Sequence, residues 1–161
     1  MAKIAIMGFG TVGSGVLEVC RRNAASTARR AGEPVEVKYI LDVRDFSGSP
    51  DAALFTKSID TILNDPEIKV VVETIGGTKF AYPYVRRCLE SGRSVCTSNK
   101  EMVATYGAEL LALLGQMLEI LRALLEKDES ITIGDDVIGR AVGRYERNRG
   151  IPVGGAFADA Y

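Results

Sequence analysis

Closely spaced glycines near the start of the chain form the pattern with the clearest chemical meaning. Gly8, Gly10 and Gly13 give G-x-G-x-x-G after an apolar run and before residues with helical spacing. The first glycine of such a motif allows a tight turn, the second lets a pyrophosphate approach the backbone, and the third lets helix and strand pack closely. Free N–H groups at the helix start, from Thr11 and Val12 onward, would bind phosphate. The motif predicts dinucleotide binding, with a purely structural glycine turn as the alternative.

Two charged residues that could bind the ribose of a dinucleotide lie at the end of the next predicted strand, over residues 35–43. Asp42 there would accept hydrogen bonds from an adenosine 2′-hydroxyl, whereas Arg44 would accommodate a 2′-phosphate. Strand alternation predicts that both side chains lie on one face. The separation between Gly13 and Asp42 exceeds the usual ~20 residues, so capping of the following loop stays open as the role of each. The choice between NAD and NADP stays open with it.

Two further segments follow later predicted strands. The apolar run over residues 68–75 is typical of a strand buried on both faces, and Gly76 and Gly77 end it. Ser98, Asn99 and Lys100 follow a strand predicted over residues 92–97. Because the carboxyl ends of parallel strands meet at one edge of a sheet, we expect these segments and the glycine motif to border the same crevice.

The elements that position these residues alternate between strand and helix. This alternation predicts an α/β fold of the Rossmann type, a doubly wound and mainly parallel sheet, with a helical C-terminal extension. One crossover helix is expected between the glycine motif and residue 34, a short helix over residues 58–63, and another over residues 82–90. We expect a nucleotide-binding domain over residues 1–114 and a helix-rich tail over residues 115–161.

Composition narrows the function classes. A net charge of −1 argues against a surface that binds nucleic acid. The N-terminus has no secretory pattern, and no run approaches the ~18 apolar residues of a membrane span, so we expect no membrane association. Three cysteines without C-x-x-C spacing suit a reducing, cytoplasmic compartment. The absence of histidine excludes Ser-His and Cys-His pairs and argues against a metal site.

Three motifs, GFGTVGSGV, VVETIGG and TSNKEMVATYGAELL, occur in this order along the chain. With them, the first ~115 residues resemble the N-terminal nucleotide-binding domain of homoserine dehydrogenase, which carries a Rossmann fingerprint. That family interconverts homoserine and aspartate semialdehyde with NAD or NADP. The resemblance therefore implies an NAD(P)-dependent oxidoreductase that acts on a homoserine-like small molecule.

The resemblance also implies roles for particular residues. Arg44 would be the candidate for a 2′-phosphate, and Lys100 would belong to the catalytic site on a substrate-proximal loop. A lysine ammonium there would stabilise charge that develops on the substrate oxygen, with a helix-start surface lysine as the alternative. The cofactor-binding residues would be Gly8, Gly10, Thr11, Val12, Gly13, Asp42, Arg44, Thr74, Ile75, Gly76, Gly77, Ser98 and Asn99.

The resemblance stops near Leu114, where the family continues into a large substrate and dimerisation domain. Residues 107–127 instead predict one long helix with a wide apolar stripe, which offers a dimer face or packs on the sheet. A short strand over residues 130–133 and a helix over residues 136–147 follow; the tail would complete the sheet or form a dimer interface. The alternative to an enzyme is a non-catalytic dinucleotide-binding module, or a shortened or engineered domain, homo-oligomeric through residues 107–127.

Overall fold

The computed structural model describes residues 1–127, and these contain a five-stranded sheet with the spatial order β3-β2-β1-β4-β5. All four pairings between neighbouring strands are parallel. Because β1 lies between β2 and β4, the direction of the crossovers reverses beside it, as in Rossmann folds. This order confirms the predicted fold class. The strands are β1 (Ala2–Met7), β2 (Val35–Leu41), β3 (Phe55–Thr56), β4 (Ile68–Glu73) and β5 (Ser94–Thr97).

Five α-helices connect or follow these strands in the described residues. The single crossover helix expected after the glycine motif is two helices, because the backbone leaves helical geometry at Asn23 (φ −105°, ψ 21°). The last helix begins at Lys100, earlier than the predicted residue 107. The helices are α1 (Thr11–Arg22), α2 (Ala24–Ala31), α3 (Ile59–Leu63), α4 (Ala81–Glu90) and α5 (Lys100–Lys127).

Alternate residues of the central strand pack on opposite faces of the sheet. Ile4 and Ile6 of β1 join one core cluster together with Leu17 of α1. Ala5 and Met7 join the other, whose members include residues of α3, α4 and the first turn of α5. Both faces of β1 are therefore covered by helices, which explains why this strand is apolar almost throughout.

The contacts divide the chain into two compact units, Met1–Leu118 and Glu119–Tyr161. All of the strands that the structure describes and the first four helices belong to the first unit; the described part of the second is the last stretch of α5. The predicted strand over residues 130–133 and helix over residues 136–147 lie outside the described residues.

One described helix segment, Lys100–Ala123, is long and apolar enough to cross a membrane by length and composition alone. The expectation concerned unbroken runs of ~18 apolar residues, whereas this segment meets the criterion through its average hydropathy. Glu109, Glu119 and Arg122 interrupt the apolar positions, so no unbroken run exists, but the average over the segment is apolar. A single helix of this kind is weak evidence for a membrane, because many helices of water-soluble proteins meet the same criterion.

Candidate functional site

The glycine motif forms the turn between β1 and α1. Gly8 has a φ of +91°, a conformation that side chains with a Cβ rarely adopt. A Cβ on Gly13 would lie 2.0 Å from the carbonyl oxygen of Gly8. Both positions therefore require glycine for the turn itself, and Gly13 allows α1 to start directly against the end of β1.

The N-terminus of α1 is open to a ligand. Gly10 is its N-cap and provides no side-chain cap, and a Cβ on Gly10 would meet nothing within 4 Å. The N–H groups of Thr11, Val12 and Gly13 belong to the first turn and have no partner within the helix. Together with the helix dipole, these donors favour an anion. The residues present at this turn thus fit the pyrophosphate of a dinucleotide.

Asp42 joins the end of β2 to the glycine turn. Its carboxylate accepts a hydrogen bond from the backbone N–H of Phe9 at 2.7 Å. It also accepts from three groups of Arg44: the backbone N–H and Nε, both at 3.0 Å, and a terminal nitrogen at 2.8 Å. The hydrogen-bonded guanidinium holds the pKa of Asp42 far below its usual range, and backbone hydrogen bonds act in the same direction.

Arg44 is held by the protein and still reaches solvent. Its guanidinium donates to the carbonyl oxygen of Phe9 at 2.7 Å, while its side chain remains 57% exposed; that of Asp42 is 8% exposed. The prediction that strand alternation sets the faces of these two residues is wrong, because β2 ends at Leu41. A local turn, closed by the N–H of Arg44 on the carboxylate of Asp42, places them together instead.

A pocket beside Arg44 contains residues that sequence reasoning missed. The guanidinium lies 5.1 Å from the ring centroid of Phe46, and that ring stacks on Phe55 at 4.3 Å. Lys57, just after β3, lines the same pocket. Aromatic faces next to two cations suit a phosphorylated nucleoside. The signal for Phe55 and Lys57 was weak because β3 contains only two residues, Phe55–Thr56.

The segment after β4 is tied to the glycine turn by Thr74. Its hydroxyl lies 2.8 Å from the carbonyl oxygen of Gly8 and 3.0 Å from that of Met7. The N–H of Thr74 also donates to the carbonyl of Met7 at 2.8 Å. Thr74 therefore fixes the first residues of the segment that leads to Gly76 and Gly77.

Glu73, the last residue of β4, is completely buried. Its carboxyl group accepts a hydrogen bond from the N–H of Ile75 at 2.6 Å and another from the hydroxyl of Thr97. Sequence analysis placed this residue inside an apolar run and assigned it no role. An acid in a strand expected to be buried on both faces was the available signal.

Asn99 links the segments that follow β4 and β5. Its Nδ2 donates to the carbonyl oxygens of Ile75 at 3.1 Å and Gly77 at 2.6 Å. Its Oδ1 accepts from the N–H of Met102 at 3.0 Å, which caps the N-terminus of α5. The amide of Asn99 is thus occupied by the protein, which holds the turn at Gly76 and Gly77 against the start of α5.

The predicted residues fall along one edge of the sheet in two groups around the glycine turn. Asp42 and Arg44 lie on the β2 side, whereas Thr74, Asn99 and Lys100 lie on the side of β4 and β5. Ser98 and Lys100 are exposed, and Lys100 is the first residue of α5. Three exposed apolar side chains also lie beyond the carboxyl ends of strands on this edge: Val12, Val43 and Phe80. Of these, only Val12 was among the predicted site residues.

Within residues 1–127, no group of three or more His, Cys, Asp or Glu residues has the arrangement of a metal site. The edge itself offers the backbone N–H donors at the start of α1, the cations of Arg44 and Lys100, and exposed apolar surface. An extended ligand with phosphates in its middle matches this layout. The parallel sheet, the glycine turn and the open helix N-terminus together define a Rossmann-type dinucleotide-binding protein.

Comparison with known proteins gives the family. Residues 8–117 match the family model described as homoserine dehydrogenase, NAD binding domain. The chain belongs to the homoserine dehydrogenase family through this domain, and its cofactor class is NAD or NADP.

Individual relatives agree with this assignment. Homoserine dehydrogenase of Pseudomonas aeruginosa is 41% identical over 115 residues, which is 68% of this chain and 26% of that protein. A homoserine dehydrogenase structure from Thiobacillus denitrificans has a TM-score of 0.64 at 38% identity, over 71% of this chain and 27% of that one. A hyperthermophilic archaeal homoserine dehydrogenase mutant in complex with NADPH has a TM-score of 0.57 at 26% identity, over 71% of this chain and 41% of that one. The chain spans about a quarter of the length of the curated relatives it matches.

Proposed function

We propose that this chain binds NADP(H) at the carboxyl edge of its sheet, in preference to NAD(H), and serves the interconversion of homoserine and aspartate semialdehyde. The family assignment supports the oxidoreductase class. The preference for NADP(H) rests on the residues that follow β2.

The observation that carries the proposal is the arrangement of Arg44 on Asp42. Four donors occupy the two carboxylate oxygens of Asp42, so a ribose 2′-hydroxyl would have to displace one of them. The exposed guanidinium beside it can bind a 2′-phosphate, since arginine presents a rigid set of donors to phosphate oxygens. Lys57 adds a second positive charge to the same pocket.

The remaining roles in cofactor and substrate binding are assigned to residues along the same carboxyl edge of the sheet. The N–H groups of residues 10–13 would hold the pyrophosphate, and the segment from Thr74 to Gly77 would border the nicotinamide, with Ser98 and Asn99 beside it. The nicotinamide, when bound, supplies or accepts the hydride. Lys100 would stabilise the charge that develops on the substrate oxygen. Its exposure at the start of α5 leaves the ammonium accessible to a substrate.

Direct titration tests the cofactor preference. NADPH and NADH are titrated by nicotinamide fluorescence against the unsubstituted protein, Arg44→Ala, and Arg30→Ala as a control that removes an exposed arginine from α2. We expect Arg44→Ala to weaken NADPH binding by about tenfold or more, which corresponds to about 1.4 kcal/mol, with NADH binding unchanged. Equal losses for both cofactors would remove Arg44 from the 2′-phosphate role, and no binding of either would contradict the proposal.

A second candidate function, that of a homo-oligomeric binding module, is supported by exposed apolar side chains on α5. Leu111 and Leu114 are exposed on α5 in the first unit, and Ile120 and Leu121 are exposed in the second. These side chains favour association through α5, which would make the chain a homo-oligomeric dinucleotide-binding module. A homoserine oxidation assay on the same preparation separates the two functions, because a module binds the cofactor without turnover.

We also propose a domain division and a cellular compartment for this chain. A division between residues 1–114 and residues 115–161 is supported by the end of the family match at residue 117 and by the contact boundary after Leu118. A cytoplasmic location is supported by the free thiols of Cys20, Cys88 and Cys96, which suit a reducing compartment.

A further inference from the structure

We propose that Glu73 is a positioning residue that sets the segment after β4 and the segment after β5 relative to each other, and so controls how tightly the nicotinamide half of the cofactor binds. The identity of the ligand rests on the proposed function. The positioning itself rests on hydrogen bonds among residues 73–102.

The burial of Glu73 needs an explanation that packing does not provide. It is completely buried at the end of a strand whose other core positions, such as Ile68 and Val71, are apolar. Transferring a polar group from water into the interior costs free energy unless hydrogen bonds compensate for it. Glu73 has two such bonds, and each goes to a different segment of the sheet edge.

The first bond fixes the segment after β4. The N–H of Ile75 donates to Glu73 Oε1 at 2.6 Å, which closes a tight turn two residues beyond the strand. The backbone then reaches Gly76 and Gly77, and Gly77 has a φ of +71°. Glu73 therefore sets where the glycine pair begins.

The second bond fixes the segment after β5 through Thr97. The Thr97 hydroxyl donates to Glu73 Oε2, and the oxygen of that Thr97 hydroxyl accepts a hydrogen bond from the N–H of Asn99 at 3.0 Å. Because Thr97 gives its single proton to Glu73, its oxygen is left as an acceptor for Asn99. Asn99 then donates back to Ile75 and Gly77, which closes the network on the segment that Glu73 already holds.

The side-chain bonds of Glu73, Thr97 and Asn99 reach only the segments after β4 and β5, and the segment after β4 is attached to the glycine turn separately, through the hydroxyl of Thr74. Asp42, Arg44 and the N-terminus of α1 are held by other bonds, through Phe9 and Ser14. A change at Glu73 should therefore affect ligands that extend to the glycine pair and spare those that stop at the adenosine half. Adenosine 2′,5′-bisphosphate is such a shorter ligand, and NADPH is the longer one.

The experiment compares both ligands across matched variants of the full chain. Glu73→Gln keeps the size and an acceptor for Ile75, but its Nε2 faces the Thr97 hydroxyl, whose proton then loses its acceptor. Thr97→Val removes that hydroxyl with little change of shape, and Thr97→Ser restores it. Glu67→Gln makes the same change as Glu73→Gln just before the other end of β4 and is the control.

For Glu73→Gln and Thr97→Val we expect NADPH binding to weaken by about tenfold, with binding of adenosine 2′,5′-bisphosphate unchanged within about twofold. Thr97→Ser and Glu67→Gln should bind both ligands normally. Amide hydrogen exchange at Asn99 should become faster in Glu73→Gln and in Thr97→Val, because the Thr97 oxygen that accepts its N–H is displaced or removed, and this reports the positioning without any ligand.

Two outcomes would overturn the inference while the proposed function stands. Equal weakening of both ligands would show that Glu73 supports the fold as a whole, and no weakening of either would show that its bonds are not used. Arg44→Ala in the same series must weaken both ligands, because both carry the 2′-phosphate. If the unsubstituted protein bound neither ligand, the proposed function and this inference would fail together.

Discussion

The carboxylate of Asp42 accepts a hydrogen bond from the backbone N–H of Phe9 at 2.7 Å, so the end of β2 is attached to the middle of the glycine turn. The same carboxylate holds Arg44, which in turn donates to the carbonyl oxygen of Phe9. The residues proposed to bind the pyrophosphate and the 2′-phosphate are thus parts of one hydrogen-bonded unit.

Replacing Asp42 with alanine should weaken NADPH binding by about tenfold and destabilise the fold by about 1–3 kcal/mol, because the N–H of Phe9 loses its acceptor and the guanidinium loses its anchor. Urea unfolding and NADPH titration measure the two effects. Glu36→Ala removes an exposed carboxylate of β2 that does not line the pocket beside Arg44, and it is the control. An Asp42→Ala protein that binds NADPH normally would show that the anchor is dispensable.

Gly13→Ala should disrupt the turn, since the new methyl group would lie 2.0 Å from the carbonyl oxygen of Gly8. We expect a loss of about 1–3 kcal/mol in the free energy of unfolding, typical of overpacking, together with loss of detectable cofactor binding. Gly15→Ala is the matched control in the same helix, because a Cβ there meets nothing within 4 Å. It should stabilise α1 by about 0.5–1 kcal/mol. Similar behaviour of the two variants would contradict the role given to Gly13.

The free energy of unfolding should fall at acid pH, in part because Asp65 becomes protonated. The hydrogen bond from the Lys38 ammonium holds the pKa of Asp65 at about 2, with a further contribution from the N–H of Glu67. A carboxyl pKa that folding lowers stabilises the fold fully above the unfolded value of about 3.9, and this stabilisation is lost as the pH falls toward 2. Asp65→Asn should therefore lose less stability than the unsubstituted protein between pH 5 and pH 2.5.

Thermal unfolding at several pH values measures this difference. Glu36→Gln, an exposed acid of β2, is the control and should follow the unsubstituted protein. Parallel curves for Asp65→Asn and the unsubstituted protein would mean that the ion pair with Lys38 does not contribute.

Lys100→Ala separates chemistry from binding. We expect homoserine oxidation to fall by about a hundredfold or more, because a charge that stabilises the reacting oxygen is lost. The dissociation constant for NADPH should stay within about twofold of its starting value. Lys69→Ala removes an exposed lysine of β4 and serves as the control. Parallel losses of binding and turnover would place Lys100 in the cofactor site.

The fold class and the glycine turn were predictable because both depend on local patterns. Gly8 and Gly13 stand at fixed spacing between an apolar strand and a helix, and the buried strands read as apolar runs. The break at Asn23 was not predictable, because neither glycine nor proline marks it. The start of α5 at Lys100 depends on the cap from Asn99, which also reaches across to Ile75 and Gly77.

The parts of the candidate site that were missed depend on contacts between distant residues. Glu73 is one acid in an apolar run, and its partner Thr97 belongs to another strand. Phe55 and Lys57 reach the pocket beside Arg44 only because a strand of two residues pairs with β2. Neither relationship leaves a periodic signal in the sequence, and the ligand contacts of all these residues stay predictions.

The central claim is that the edge beside the glycine turn binds NADP(H) in preference to NAD(H). Titration of the unsubstituted protein with NADPH and with NADH, followed by nicotinamide fluorescence at one ionic strength, tests it most directly. The account predicts saturable binding of NADPH that is at least about tenfold tighter than that of NADH, as expected for an arginine bound to the additional phosphate. Tighter binding of NADH, or no saturable binding of either cofactor, would contradict it.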